Sequence, residues 1–407
     1  LRHWIKHVKL SEVIEQFIVP QRDKPKIFEG NTPWCRIEDF NGKYLFESKT
    51  GKTVSDELIK TMPLRVFPKK TVIVSCSADL GRCAIIGKPL VTNQTFIGLV
   101  PSNNIDSEFL YYLMTSRAEQ LNGMATGATI KYLSKKKFQN LEVPVPPLSE
   151  QKRIIAILDE AFEAIDQAKA NIERNIQNAE ELFQSKLNEV FSQQGEGWEE
   201  KKLIEITTKI GSGATPRGGK NSYKESGLSL IRSLNVYDEG FQEDKLAFID
   251  DKQAEKLSNV ELYEGDVLLN ITGASVARCC VVPKEYLPGR VNQHVSIIRL
   301  REETMKPEFL HYLLISKSYK DRLLGIGEQG ATRQAITKAQ LQDFNVSYPD
   351  NFADQDLIIS VINHYKSLSD RLKHKYLMKS DCLDELKKSI LQKAFTGELT
   401  ANVELPV

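Results

Sequence analysis

The stretch GSGATPRGGKNSYKES, residues 211–226, spaces Arg217, Lys220 and Lys224 among glycines and one tyrosine, Tyr223. Cations at such intervals, on a backbone that glycine lets approach a partner closely, suit a polyanion. Lys and Arg neutralise phosphate oxygens, while Arg, Lys, Asn and Gln can pair with base edges. Smaller clusters of the same kind lie elsewhere. Arg22, Lys24 and Lys26 share one expected loop; Lys43, Lys49 and Lys52 share another, with Tyr44 between them. Arg36 and Arg232 follow short apolar runs 196 residues apart, and Lys131 and Arg333 adjoin two Gly-Ala-Thr stretches. The competing reading of each is solvated surface charge, and for Arg36 and Arg232 a carboxylate partner inside the fold. Lys135, Lys136 and Lys137 read as the water-facing start of a short helix.

No set of residues reads as catalytic. The Asn/Asp-Pro-Pro-Tyr/Phe stretch of an amino-methyltransferase is missing; Pro146-Pro147 runs into Leu148. A phosphate loop needs G-x4-G-K-[ST]. Gly51-Lys52-Thr53 has Phe46 where the first glycine belongs, and Gly219-Lys220 has Ala214 there and Asn221 after the lysine. Gly325, Gly327 and Gly330 fit GxGxxG but follow an expected helix, so a turn is the better reading. His3 and His7 have no third ligand nearby, and six scattered cysteines form no CxxC, so no metal site is expected. Reduced thiols of a cytosolic protein are the simplest reading.

Composition agrees. The 407 residues are 41% hydrophobic and 27% charged, too many for one core and ordinary for a soluble chain of several domains. No apolar run approaches the roughly 20 residues of a membrane span. Leu1-Arg2-His3-Trp4 has no secretory pattern, and without an initiator Met the chain is expected to be trimmed or incomplete there. A net charge of +1 requires a nucleic-acid binder to gather its basic residues on one face.

The elements that must position these clusters come in two copies. GATIKYLSKKKFQNLEVPVP (127–146) lies over GATRQAITKAQLQDFNVSYP (330–349), FLYYL (109–113) over FLHYL (309–313), TNQTFIGLVP (92–101) over VNQHVSIIRL (291–300), and GRCAII (81–86) over ARCCVV (277–282). Gln151 matches Gln355, and LFQSKLNEVF (182–191) matches LKKSILQKAF (386–395). Six matches in order establish a duplication. Each copy holds short β-rich runs at 71–78 and 95–100, or 266–272 and 295–300. A helix at about 106–122 or 306–324 follows, then a strand ending at proline, then a long helix.

The first long helix places Ile155, Leu158, Phe162, Ile165 and Ile172 at the three- and four-residue steps of a coiled-coil seam, continuing to Val190 with a mild stutter near Phe183. The second gives Ile358, Val361, Tyr365, Leu368, Leu372, Leu386 and Ile390, interrupted by Lys375 and Lys379. At 1.5 Å per residue, forty-odd residues make roughly 65 Å, and such a stripe needs a partner. Residues 149–194 carry nine acidic and five basic side chains; 353–396 carry six and eight. Opposite net signs favour pairing the two helices with each other. The expected fold class is α+β: two similar mixed domains joined by two long helices in an antiparallel coiled coil with an internal pseudo-two-fold. The expected divisions are 1–147, 148–196, 197–350 and 351–407. A protein two-fold mirrors paired half-sites on duplex DNA; unlike domains then imply an asymmetric bipartite target. A coiled-coil scaffold with two protein-binding modules is the alternative.

These residues resemble the specificity subunit of type I restriction–modification systems over essentially the whole chain. The carrying motifs are VPVPPLSEQKRIIAILD (143–159), its degenerate copy YPDNFADQDLIISVI (348–362), the two Gly-Ala-Thr stretches, the Asn-Gln pairs and the closing SILQKAFTGEL (389–399). Asp356 stands where Lys152 leads one to expect a base, and the first copy lacks the Gly-Glu-Leu ending. The resemblance implies two target recognition domains on double-stranded DNA and no catalysis or cofactor in this chain. It implies two methyltransferase subunits using S-adenosylmethionine, with or without restriction subunits using ATP and magnesium.

Overall fold

The computed structural model describes residues 6–20, 24–77, 79–127, 131–193, 195, 197–328 and 334–400. The chain forms two compact units, Leu1–Ile172 with Leu377–Val407, and Glu173–Tyr376. Each therefore takes one stretch of each long helix, Leu148–Ser192 and Phe352–Thr396.

In the first unit a five-stranded sheet runs in the order Ile14–Ile18, Phe96–Pro101, Val72–Ser75, Cys83–Ile86, Tyr44–Leu45, antiparallel except for the last pair. Its central strands are apolar without alternation because both faces are covered. Val72, Val74, Ile85, Ile97 and Leu99 point into a core with Phe109, Leu113, Leu158, Phe162 and Phe395. Ile73, Ala84, Ile86 and Phe96 point the other way, against Phe40 and Phe67. A second sheet pairs Thr32–Cys35 in parallel with Leu90–Thr92. A two-stranded ribbon of Lys6–Lys9 and Glu142–Val145 leads into the first long helix.

The second unit repeats this logic. Its sheet is Thr207–Ser212, Val295–Leu300, Val267–Asn270, Cys279–Val281. Val267, Leu269 and Ile298 pack on Phe309, Leu313 and Ile362, while Leu268, Cys280 and Ile297 pack on Leu230 and Ile231. The ribbon is Trp198–Lys202 with Asn345–Pro349. The single helix expected in each copy is two: Ser107–Ser116 then Ala118–Met124, and Pro307–Ile315 then Lys317–Glu328. In the second unit Ser316 adopts extended backbone with its hydroxyl on the Leu313 carbonyl, and Asn188 Oδ1 accepts from Lys317 N at 2.7 Å to start the next helix.

The duplication extends to individual hydrogen bonds. Leu10 N donates to Leu141 O (2.8 Å) and Leu203 N to Phe344 O (3.0 Å); Leu133 N donates to Cys76 O (2.9 Å) and Ile336 N to Ile271 O (2.8 Å). The recurring glutamine is a buried staple. Gln151 Oε1 accepts from Asp106 N (2.8 Å), and its Nε2 donates to Pro146 O (2.8 Å) and Asn104 O (2.9 Å). Gln355 does the same with Lys306 N (2.9 Å), Pro349 O (2.9 Å) and Thr304 O (3.3 Å). Each amide ties the strand end, the short-helix entry and the long helix together with its polar groups satisfied.

That staple also fixes the rotation of each long helix. Seven-residue steps from Gln151 reach Leu158, Ile165, Ile172 and Ala179, all buried. The same steps from Gln355 reach Ile362 and Ser369, also buried. The expected seam of the second helix is thereby corrected: Val361 and Leu386 are exposed, and Tyr365, Leu368 and Leu372 are half-buried. Ile155, Leu158, Phe162, Ile165 and Ile172 are buried. Within each unit the two helical stretches run antiparallel. In the first, Lys169 meets Asp384 at 2.5 Å and Asp166 meets Lys387 at 3.0 Å. In the second, Glu180 meets Lys373 at 3.4 Å and Ser369 Oγ donates to Ala179 O at 2.7 Å.

Candidate nucleic-acid interface

The Gly-rich loop of the second unit is held at both ends and open in the middle. After the strand Thr207–Ser212, Gly213 N donates to Asn292 O (3.1 Å), and a Cβ on Gly213 would meet Val291 O at 1.8 Å, so only glycine fits. Gly218 (φ +97°) and Gly219 (φ +57°) turn the chain into a short 3-10 stretch, Gly219–Ser222. Gln253 Nε2 then ties Ser222 O (3.1 Å), and Lys224 N ties Phe248 O (2.9 Å). Arg217 and Lys220 sit between these ties, facing solvent, and form no ion pair among the described residues. Lys224 is exposed and 3.2 Å from Asp250. Tyr223 is half-buried, with the Arg232 guanidinium 5.2 Å over its ring.

Arg232 props the loop. It stacks on Tyr223 and donates from Nη2 to the Lys245 carbonyl. Arg36 is its counterpart: its guanidinium lies 5.5 Å over Trp34 and pairs with Glu38 at 2.7 Å. Arg36 N donates to Asp39 Oδ2 and Arg232 N to Asn235 Oδ1, the same turn in both units.

Lys43 is tied into the fold by two carboxylates. Its ammonium lies 2.8 Å from both Glu108 and Asp159, with its side chain 19% exposed. Tyr44 donates to Glu108, and Tyr112 donates to Asp159. Burial, then the Asp159 carboxylate, pushes the Tyr112 hydroxyl up. A lysine already neutralising two carboxylates has no charge left for a phosphate. Lys52 lies 5.0 Å over the Phe28 ring, half-buried; Lys49 is exposed, with Nζ 3.5 Å from Phe40 O. Lys24, Lys26 and Lys131 are exposed. Arg22 and Arg333, with Thr129, Thr332, His3 and Trp4, lie outside the described residues. The helix Lys135–Gln139 forms, with Lys135 and Lys136 exposed and Lys137 donating to Met124 O.

Beside the Gly-rich loop lies a polar group that a reading of basic residues alone misses. Thr215 Oγ1 donates to Gln293 Oε1 at 2.5 Å, Gln293 Nε2 meets His294 Nε2 at 3.1 Å, and His294 Nδ1 pairs with Thr272 Oγ1. The signal that could have found it is the Asn-Gln pair recurring at 93–94 and 292–293.

Nothing in the described residues gathers three or more metal-ligating side chains. Burial pushes the Cys35, Cys83 and Cys280 thiols up to about 12 and Cys76 to about 11, which leaves them unreactive. No described helix is long and apolar enough to cross a membrane.

A duplicated α+β scaffold presenting unlike basic loops defines a class of paired recognition modules. The chain belongs to the type I restriction modification DNA specificity domain family, whose model matches residues 5–178 and again 195–377. It is similar to the MjaIX type I restriction enzyme specificity subunit of Methanocaldococcus jannaschii, at 28% identity covering 70% of this chain and 69% of that one. It is also similar to the EcoKI specificity subunit of Escherichia coli K12, at 23% identity covering 89% and 81%. A solved chain of a type I restriction–modification system shares the fold at TM-score 0.74 (22% identity, 98% and 99% covered). The HsdS subunit from Thermoanaerobacter tengcongensis shares it at 0.58 (21% identity, 98% of each chain).

Proposed function

We propose that this chain selects the DNA sequence on which a type I restriction–modification complex acts, and that it performs no catalysis itself. Residues 1–147 and 197–350 serve as recognition domains, each reading one half of an asymmetric bipartite target. The helical segments 148–196 and 351–407 set the spacing and dock two methyltransferase subunits, with or without restriction subunits, in the cytoplasm. S-adenosylmethionine, ATP and magnesium belong to those partners. The observation that carries this reading is one scaffold whose strand-end and glutamine-staple hydrogen bonds recur in both units, holding loops of unlike sequence. Selection between DNA sequences needs this combination of a constant frame and a variable reading edge. In the second domain Arg217, Lys220 and Lys224 supply phosphate contacts. In the first, Lys24, Lys26, Lys49, Lys52 and Lys131, with Arg22, remain as candidates.

Long-read mapping of N6-methyladenine, with and without this chain beside its modification subunit, tests the proposal. A gapped motif methylated only when the chain is present is expected. Unchanged methylation by an active, assembled complex would favour a scaffold role instead. Changing Arg217, Lys220 and Lys224 together to Ala should weaken DNA binding and lower the steepness of its salt dependence by roughly 0.9 for each phosphate no longer neutralised. An unaltered salt slope would remove the loop from the interface.

A further inference from the structure

We infer that Gln293 is a base-reading residue of the second recognition domain, held by Thr215 and His294 so that its amide pairs with adenine in the second half-site. This rests on the proposed DNA-selecting role and adds the residue, its supports and its base. Three observations converge on it.

Gln293 is exposed, yet its amide is not free to turn. Thr215 donates to Oε1 (2.5 Å) and His294 Nε2 meets Nε2 (3.1 Å). An exposed glutamine loses rotamer entropy when fixed in this way, and at a surface facing only water such fixing brings the fold little. Before a ligand, the same order is paid in advance of binding. With Nε2 donating to His294 Nε2, the imidazole carries its proton on Nδ1 and donates it to Thr272 Oγ1. Both ends of the amide are thereby held, with Oε1 toward Thr215 and Nε2 toward His294.

The chemistry left over matches one base. A carbonyl oxygen has two acceptor positions and an amide nitrogen two hydrogens. Thr215 and His294 use one of each. One acceptor and one donor remain on the amide, the pair that complements the N6 amino group and N7 of adenine in the major groove.

The supports come from the parts that differ between the halves. Thr215 belongs to the Gly-rich loop, which has no counterpart among the six sequence matches. The turn itself recurs: Gln94 is exposed, but Thr95 stands where His294 does and donates to Asn93 Oδ1 at 2.7 Å. Among the described residues Gln94 has no counterpart of the Thr215 and His294 hold, so the same amide is presented differently in the two halves, which suits two unlike half-sites.

The test uses the assembled complex with its modification subunits. Methylated motifs are mapped for the wild type, Gln293→Ala, Gln293→Glu, Thr215→Val and His294→Ala. Duplexes carrying each base pair at every second-half position are titrated alongside. Gln293→Ala should lose roughly ten-fold of the preference for adenine at one second-half position and leave the first half-motif intact. Glutamate accepts but does not donate, so Gln293→Glu should move that position toward cytosine. Thr215→Val and His294→Ala should relax the same position without changing the salt slope, which a phosphate-contacting or purely structural role would not produce. Discrimination kept by Gln293→Ala, or reduced equally in both half-motifs, overturns the inference. If Gln293→Ala abolishes methylation altogether, Gln293→Glu decides: a changed base at one position supports it, and an unchanged or absent motif overturns it. A wild-type chain that directs no gapped motif would instead overturn the DNA-selecting role.

Discussion

A lysine serves a phosphate only if its charge is not already spent. By sequence Lys43 and Lys220 look alike, each in a polar stretch beside a tyrosine or glycine. In the fold Lys43 bridges Glu108 and Asp159, whereas Lys220 lies at a loop tip. Lys43→Ala leaves two carboxylates facing each other and should cost about 1–3 kcal/mol of stability. Lys220→Ala should change stability by less than about 0.5 kcal/mol. Thermal melting of the two variants separates the roles, and equal losses would contradict them. The carboxylates that claim Lys43 lie 65 and 116 residues away along the chain. No local pattern could announce them. The Gly-rich loop was legible because its signal is local: glycines that a positive φ or a close backbone approach demands, with cations between them.

At the scale of elements, both long helices, their lengths and the repeat were readable, while the rotation of the second helix was not. Leu357, Ile358, Ile359, Val361 and Ile362 crowd apolar residues onto several faces, so periodicity alone does not select one. The choice is made by Gln355, whose amide is locked to backbone on three sides and brings Ile362 inward with it. Replacing Gln151 or Gln355 with Leu strands buried donors and acceptors. A loss of about 2–3 kcal/mol is expected at either position, read by chemical denaturation; a neutral outcome would show that the staple does not set the helix. The short helix Pro307–Ile315 carries a second such device. His311 is buried, its Nε2–H donating to Asp238 O at 3.1 Å, and burial, aided by the nearby Lys366 cation, lowers its pKa to about 4. Unfolded, the same imidazole titrates near 6.5. The folded pKa is the lower one, so its stabilisation is complete above about pH 6.5 and is lost as pH falls toward 4, by about 3 kcal/mol at most. His311→Tyr, the residue type at the matching Tyr111, should flatten that dependence in pH-resolved melting curves.

Across the whole molecule, one scaffold is built twice and anchored in opposite senses. In the first unit a loop lysine, Lys43, reaches a carboxylate of the long helix, Asp159. In the second the helix supplies the lysine: Lys366 donates to the carbonyl of Glu239, and Asn363 stands where Asp159 does, accepting from Tyr312. Asp238 beside it pairs with Lys320. The repeat was visible in sequence because helix and strand cores keep their pattern. The inversion was not, because it lies in single side chains of the divergent loops.

That inversion should act as a key between each module and its seat, its own stretch of long helix. Recombination that moves a first module into the second seat sets its lysine against Asn363 and Lys366. A chimaera carrying residues 1–147 in place of 197–350 should melt below the parent, and Asn363→Asp should recover part of the loss. Without that recovery, the seats would be interchangeable and new targets could arise by shuffling one module through both.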